Sequence, residues 1–193
     1  MFSHRVDEDI ELRLSEERLA EEATALIRDN LAYLKEWLPW VKDDFSVEDT
    51  LEFVRRNLQQ FAANEGFSAQ IVYRGRFAGN IGFNKIDWGN RKTEVGYWIA
   101  APFQGRGIVT RACRAFVGHA FDVLRLNRVE IYCGLGNAKS RRIPERLGFK
   151  QEGVLRQAEW LHDHFTDLVL YSMLAEDWDR RIKEVAESRD NEA

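Results

Sequence analysis

The sequence predicts a mixed α/β (α+β) domain, one largely antiparallel sheet with helices on both faces. Three observations carry this expectation. Between residues 67 and 99, three strand-like runs are joined by short turns, as in consecutive hairpins. The runs 92–99 and 128–134 are separated by a helical pattern, and that crossover makes them parallel neighbours. The 193 residues hold twelve phenylalanines and six tryptophans and no long linker, which suits a single core over residues 1–193.

The elements follow in order. Ile10, Leu12 and Leu14 alternate with Glu11 and Arg13, as in a half-buried strand. Glu16 to Asp29 reads as a helix with acids at its start and Leu19, Ala23 and Leu26 on its buried stripe. Asn30 is placed to cap a short second helix carrying Tyr33, Leu34, Trp37 and Leu38, which Pro39 stops. Ser46 and Asp49 have capping-box spacing and open a helix with Leu51, Val54, Leu58 and Phe61 on one side, ended at Gly66. Strands at 67–73 and 77–86 flank a turn at 74–76, and Asp87 to Asn90 turn the chain into strand 92–99. Val109, Ala112, Phe116, Ala120 and Val123 make one helical stripe. Residues 138–147 also have a helical pattern, although Pro144 lies inside it, where proline normally breaks a helix. Gly148 closes that helix. Strands near 150–156 and 165–174 flank a polar-aromatic loop, 157–164. Residues 178–193 read as a charged helix fading into disorder.

Composition narrows the function. A net charge of −4 argues against direct nucleic-acid binding, and nothing approaches the apolar length of a membrane span. The first residues lack the pattern of a signal peptide, and Cys113 and Cys133 are the only cysteines, so a reducing cytoplasm is expected. No Cys/His cluster has zinc spacing, and no metal is expected.

The most informative stretch is Gln104-Gly105-Arg106-Gly107-Ile108-Val109-Thr110, between a strand end and a helix start. Such a loop presents several free backbone N–H groups to one point, beside the positive end of a helix dipole. A phosphate or pyrophosphate fits there. The third glycine of a dinucleotide fingerprint and the lysine of a P-loop are both missing, so nucleotide binding of those types is disfavoured.

Four segments in order resemble the GNAT N-acetyltransferases: Gly96–Ile99, Gln104–Ile108, Asn137–Ser140 and Leu147–Gly153. Tyr33 to Trp40 and Arg156 to Asp163 are similar to segments of the RimJ/RimL type, the ribosomal-protein N-acetyltransferases. The resemblance spans roughly residues 8 to 176. It implies acetyl-CoA as co-substrate in a wedge between two splayed parallel strands. The pyrophosphate would lie on Gln104, Gly105, Arg106, Gly107, Ile108 and Val109, with the Thr110 hydroxyl nearby. Val109 departs from the small residue common in the family, at a position where a backbone amide serves equally well. A symmetric homodimer is also implied, and Trp160 and Phe165 near the last hairpin suit one.

Acetyl transfer needs a neutral amine, stabilisation of a carbonyl oxygen and a proton for the leaving thiolate. The backbone N–H of Trp98 or Ile99 is expected to serve the oxygen. Ser140 matches the family's general acid at the CoA sulfur, and it also has the position of a helix cap. Asn137 is expected to bond pantetheine or nearby backbone. Glu159 matches a glutamate that acts as base through water, with Glu94 as rival. Trp37 and Trp40 flank Pro39 and are candidate walls for the acceptor. Lys139, Arg141, Arg142 and Arg146 can meet CoA phosphates or form a solvated basic face. The acceptor is expected to be the α-amine of a protein, possibly ribosomal. A small amine acceptor, or a non-catalytic acyl-CoA-binding module, are the alternatives.

Overall fold

Eight strands form one sheet in the computed structural model, which describes residues 3–190, with side chains through Glu184. In chain order the strands are β1 (Ser3–Arg5), β2 (Ile10–Leu14), β3 (Phe67–Tyr73), β4 (Arg76–Asp87), β5 (Lys92–Ile99), β6 (Arg128–Gly134), β7 (Lys150–Leu161) and β8 (His164–Leu174). The helices are α1 (Ala20–Asp29), α2 (Leu31–Lys35), α3 (Val47–Ala62), α4 (Ile108–Gly118), α5 (Ala138–Leu147) and α6 (Ala175–Asp190). The sheet order is β1-β2-β3-β4-β5-β6-β8-β7, and among the described residues only β5 and β6 pair in parallel.

That parallel pair controls the site. Its register runs from Lys92↔Arg128 to Glu94↔Glu130 and stops. Both strands continue, β5 to Ile99 and β6 to Gly134, so a wedge opens between them.

Each face of the sheet has its own helical layer. Ile81 and Phe83 on β4 face α4, where the Phe83 ring lies 4.9 Å from that of Phe116. On the opposite face Ser68 of β3 donates to Asn57 of α3 at 2.8 Å. Most core residues, among them Ile71, Ile81, Val95, Cys113 and Ile131, belong to one cluster that includes the α4 layer. A smaller cluster of Ile27, Leu34, Val41 and Phe45 packs against Trp98 beneath α1 and α2.

Most sequence-predicted elements are present, with informative differences. Ser46 and Asp49 form the capping box of α3. Asn30 makes no cap. Its side chain donates to the Leu26 carbonyl and accepts from the Ala101 N–H at 2.9 Å, tying α1 to the loop after β5. The α3 helix stops at Ala62, before Gly66, because Asn64 takes the left-handed conformation (φ 58°) first. Phe61 and Val123, both assigned to buried stripes, are 49% and 62% exposed. Val123 is turned outward by a π-helical turn, His119–Val123, that follows α4 and breaks its periodicity. Residues 157–161 belong to β7 instead of a loop. A bulge between Leu155 and Glu159 lets the strand resume, with Gln157 left-handed (φ 51°) and its N–H held by Asp167 at 2.8 Å. The C-terminal helix begins at Ala175, three residues earlier than expected, and residues 191–193 lie outside the described residues.

Pro144 does sit inside α5. Having no N–H, it cannot serve the carbonyl of Ser140 four residues back. The Tyr97 hydroxyl does so instead, at 3.2 Å.

Candidate active site

The wedge is the mouth of a cavity of about 430 Å³ that Tyr97–Ile99, the 104–110 loop, Asn137 and Ser140 all line. Gly105 and Gly107 are left-handed (φ 74° and 68°), and a Cβ on either would touch nothing within 4 Å. The loop backbone is therefore open to the cavity. Gly107 is the N-cap of α4 and offers no side-chain cap, so the first N–H groups of the helix have no protein partner there. The first helical bond inside this turn is Arg111 N–H to the Gly107 carbonyl. Gln104 accepts from the Lys139 ammonium at 3.1 Å across the mouth, while its own buried Nε2 has no hydrogen-bond partner among the described residues. Arg106, Arg142 and Arg146 also line the cavity, but Arg141 turns away to the Tyr171 hydroxyl and the Leu135 carbonyl. The resulting pocket has backbone donors at one end and cations around its rim, a good fit for a diphosphate.

Backbone alternation distinguishes Trp98 from Ile99. Ala100 donates to the Ala78 carbonyl of β4, and the antiparallel register continues through Trp98↔Asn80. Even-numbered N–H groups therefore point to β4, and those of Tyr97 and Ile99 point into the wedge. Of the two amides expected as candidates for the carbonyl oxygen, that of Ile99 faces the wedge and that of Trp98 bonds within the sheet. Trp98 contributes its indole on the other face, with Trp40 and Phe77 at ring distances of 6.3 and 5.8 Å.

At the inner end of the wedge, Asn137 caps α5 by accepting from the Ser140 N–H at 3.0 Å. The Ser140 side chain is thereby left to other partners. Its hydroxyl donates toward the Cys133 sulfur at 3.3 Å and the Tyr97 oxygen at 3.4 Å. Burial pushes the Tyr97 hydroxyl well above its ordinary pKa and raises the Cys133 thiol as well. Both stay protonated at neutral pH. Trp37 closes this end, its ring packed about 3.6 Å from where a Cβ on Gly134 or Gly136 would be.

Glu94 and Glu159 lie away from this cavity. Glu94 shares the Trp98 face of β5 and accepts from Asn84 of β4, while Glu159 pairs with Thr166 across the last hairpin. Burial raises the pKa of both. For Glu159 the Glu94 charge adds to the effect, and for Glu94 the Glu130 charge does. Trp40 is 44% exposed beside Trp98. The hairpin tip reaches back over α2, where His162 meets the Lys35 carbonyl at 2.9 Å. Among the described residues no group of three His, Cys, Asp or Glu side chains has metal-binding geometry.

Thus Trp37, Ile99, the 104–110 loop, Asn137 and Ser140 share one cavity, while Trp40, Glu94, the Trp98 indole and Glu159 lie towards the other face. Tyr97 and Asn84 were not expected there. The signal for Tyr97 was Pro144, since a helical proline requires an outside donor for its orphan carbonyl.

This architecture matches known proteins. The model of the GNAT acetyltransferase domain matches residues 10–150. YdaF of Bacillus subtilis (strain 168), provisionally named a ribosomal N-acetyltransferase, is 40% identical over 180 residues, covering 93% of this chain and 98% of YdaF. The ribosomal-protein-serine acetyltransferase of Escherichia coli (strain K12) is 32% identical over 170 residues, covering 88% and 95% of the two chains. The structure of RimL, a ribosomal alpha-N-protein acetyltransferase, has a TM-score of 0.87 at 27% identity over 91% of this chain and 99% of RimL. It contains coenzyme A in a disulfide with a RimL cysteine. Family model, relatives and architecture agree: the chain belongs to the GNAT acetyltransferase family.

Proposed function

We propose that this N-acetyltransferase moves the acetyl group of acetyl-CoA to the α-amine of a protein N-terminus by direct attack in a ternary complex. One observation carries the reading. β5 and β6 part beyond Glu94, so a diphosphate-binding wedge on one side meets a pair of carboxylates on the other. The CoA-bound relative and the ribosomal-protein relatives support the donor and the acceptor class, respectively.

The residues divide the chemistry. The 104–110 amides hold the pyrophosphate, and the Ile99 N–H steadies a carbonyl oxygen within the wedge. A neutral amine attacks the thioester carbon, forming the C–N bond. As the C–S bond breaks, the Ser140 hydroxyl gives the sulfur a proton and regains one from water, while the amine's surplus proton leaves through water to Glu159 and on to solvent. A free thiol has a pKa of about 8.5, so a modest donor suffices. An α-amine near 7.7–8.0 needs only a modest base, whereas lysine near 10.4 needs a strong one.

The long edge strand β7 exposes Val154, Leu155 and Trp160, with Phe165 4.8 Å from Trp160. These support pairing of two copies along this edge. No described helix is long and apolar enough to cross a membrane.

The test is incubation with acetyl-CoA and two acceptor sets, N-terminal peptides and small amines, read by CoA release and mass spectrometry. Acetylated peptide α-amines support the reading. Transfer only to small amines overturns the acceptor, and no CoA release with any amine overturns catalysis.

A further inference from the structure

A second cavity, of about 250 Å³, lies between the sheet and the α1–α3 layer. Trp98 is the one residue lining both this cavity and the wedge. Since a water molecule occupies about 30 Å³ of liquid, the space suits a side chain or a ring. Its walls include the aromatic residues Trp40, Phe45, Phe53 and Phe77.

Its polar lining comprises Ser15, Asp49, Thr50, Glu52, Arg56, Gln70 and Asn80. The Thr50 hydroxyl is engaged with Thr24 at 2.7 Å, and the Asp49 carboxylate with Ser46 and Lys42. Gln70 and Asn80 are different. They are 5% and 7% exposed, line the cavity, and make no side-chain hydrogen bond among the described residues. They face each other across β3 and β4 in register, and Asn80 is in turn opposite Trp98 on β5. The row Gln70, Asn80, Trp98 therefore leads across one sheet face toward the edge of the wedge. Unlike the Gln104 Nε2, the amide atoms of Gln70 and Asn80 are not shut off from solvent, so they are open to the cavity and available to a ligand that enters it. Their retention at the end of such a row points to a ligand that satisfies them.

We propose that this cavity is the specificity pocket for the acceptor. It receives a flat, uncharged group carrying both a hydrogen-bond donor and an acceptor, borne by the first or second residue beside the acceptor amine. The aromatic walls select flatness, and the two amides, each able to donate and accept, select the polar edge. An ammonium or carboxylate is disfavoured at the sheet end of the cavity, where neither amide supplies a countercharge and the charged lining residues, Asp49, Glu52 and Arg56, belong to α3. The inference rests on the N-terminal acceptor reading and names the substrate feature that the site reads.

The test uses acceptor pairs differing only in polarity, Gln against Met, Asn against Leu and Tyr against Phe. Each pair is presented at positions 1 and 2 of short peptides and also as amino-acid amides. At one position the polar member is expected to be favoured at least tenfold in kcat/KM. A Gln70→Met/Asn80→Leu protein, near-isosteric in the pocket, is expected to bring that ratio within about twofold of unity. Its affinity for acetyl-CoA, which depends on the other cavity, reports that it folds. Isosteres within twofold of each other at both positions in the unmodified protein overturn the pocket, as does a preference that survives the double substitution. If only the amides are acetylated, the N-terminal reading fails, and the same ratios still decide the pocket. No transfer to any member overturns both.

Discussion

The Tyr97 hydroxyl donates to the Ser140 carbonyl at 3.2 Å, and that carbonyl is the one Pro144 leaves without a helical partner. A strand residue thus completes a helix, fixing α5 against the wedge. Removing the hydroxyl leaves a part-buried acceptor unsatisfied, so Tyr97→Phe should cost about 1 kcal/mol. In a Pro144→Ala background the residue 144 N–H can serve the Ser140 carbonyl. The cost of Tyr97→Phe should therefore fall by roughly 1 kcal/mol, within the usual range of coupling between contacting residues. Denaturant unfolding of the four proteins measures this. Additive costs would mean that the hydroxyl and the proline are independent.

With Asn137 capping α5, the Ser140 hydroxyl is free for chemistry beside Cys133. Ser140→Ala should lower kcat by about 10- to 100-fold, at or below the low end of the usual 10²–10⁴ range because thiolate is a good leaving group. Acetyl-CoA affinity should change less than threefold. Equal losses in kcat and affinity would assign Ser140 to binding.

The nest at Gly105 and Gly107 makes a separable prediction. A Cβ meets nothing there, so Gly107→Ala carries only the left-handed strain, about 1–2 kcal/mol. Gly107→Glu adds a carboxylate in an anion site, and acetyl-CoA affinity should fall at least tenfold further. Calorimetric titration distinguishes them, and equal affinities for the two variants would move the pyrophosphate elsewhere.

Much of this geometry was legible in the sequence. The capping box at Ser46, the nest at Gly105–Gly107 and the bounds of β5, β6 and α5 all follow from local residue chemistry. What escaped was set by tertiary partners. Asn30 looks like a cap until Ala101 arrives to use its oxygen. Glu159 looks like a loop residue because the bulge anchored by Asp167 interrupts the alternation of β7. Which amide enters the wedge depends on the β4–β5 register, which side-chain patterns do not encode. Gln70 and Asn80 read as ordinary strand residues, and only the cavity shows that their amides, without a side-chain hydrogen bond among the described residues, face it.

Arg128 joins three strands. Its guanidinium meets Glu130 of β6 at 2.7 Å and Glu152 of β7 at 2.6 and 2.8 Å, and Glu152 also accepts from Ser172 of β8. These bonds hold the Glu152 carboxyl down at about 2. A depressed carboxyl stabilises the fold above its unfolded pKa, near 4.5, and the contribution is lost as pH falls toward 2. The stability gap between the unmodified protein and Glu152→Gln should therefore be full at pH 6 and visibly smaller at pH 3. Denaturant midpoints at the two values test it, and a constant gap would remove the linkage.

The last prediction concerns the base. Burial, then the Glu94 charge, raises the pKa of Glu159, so this carboxyl ionises above the usual glutamate range. Only the ionised form accepts a proton, so kcat/KM should rise with pH as Glu159 ionises and again as the α-amine loses its own proton. Glu159→Gln keeps the shape, removes the lower limb and should cut kcat/KM at neutral pH by about 10²-fold or more. Acetyl-CoA affinity should hold, because Glu159 lies outside the wedge. Above the amine pKa, near 8, much of the acceptor is already neutral and the defect should shrink. A variant equally active at neutral pH would transfer the role to Glu94, whose own pKa burial also raises and whose Gln variant should then lose the lower limb. A defect of constant size across the pH range would make Glu159 a residue that binds the acceptor.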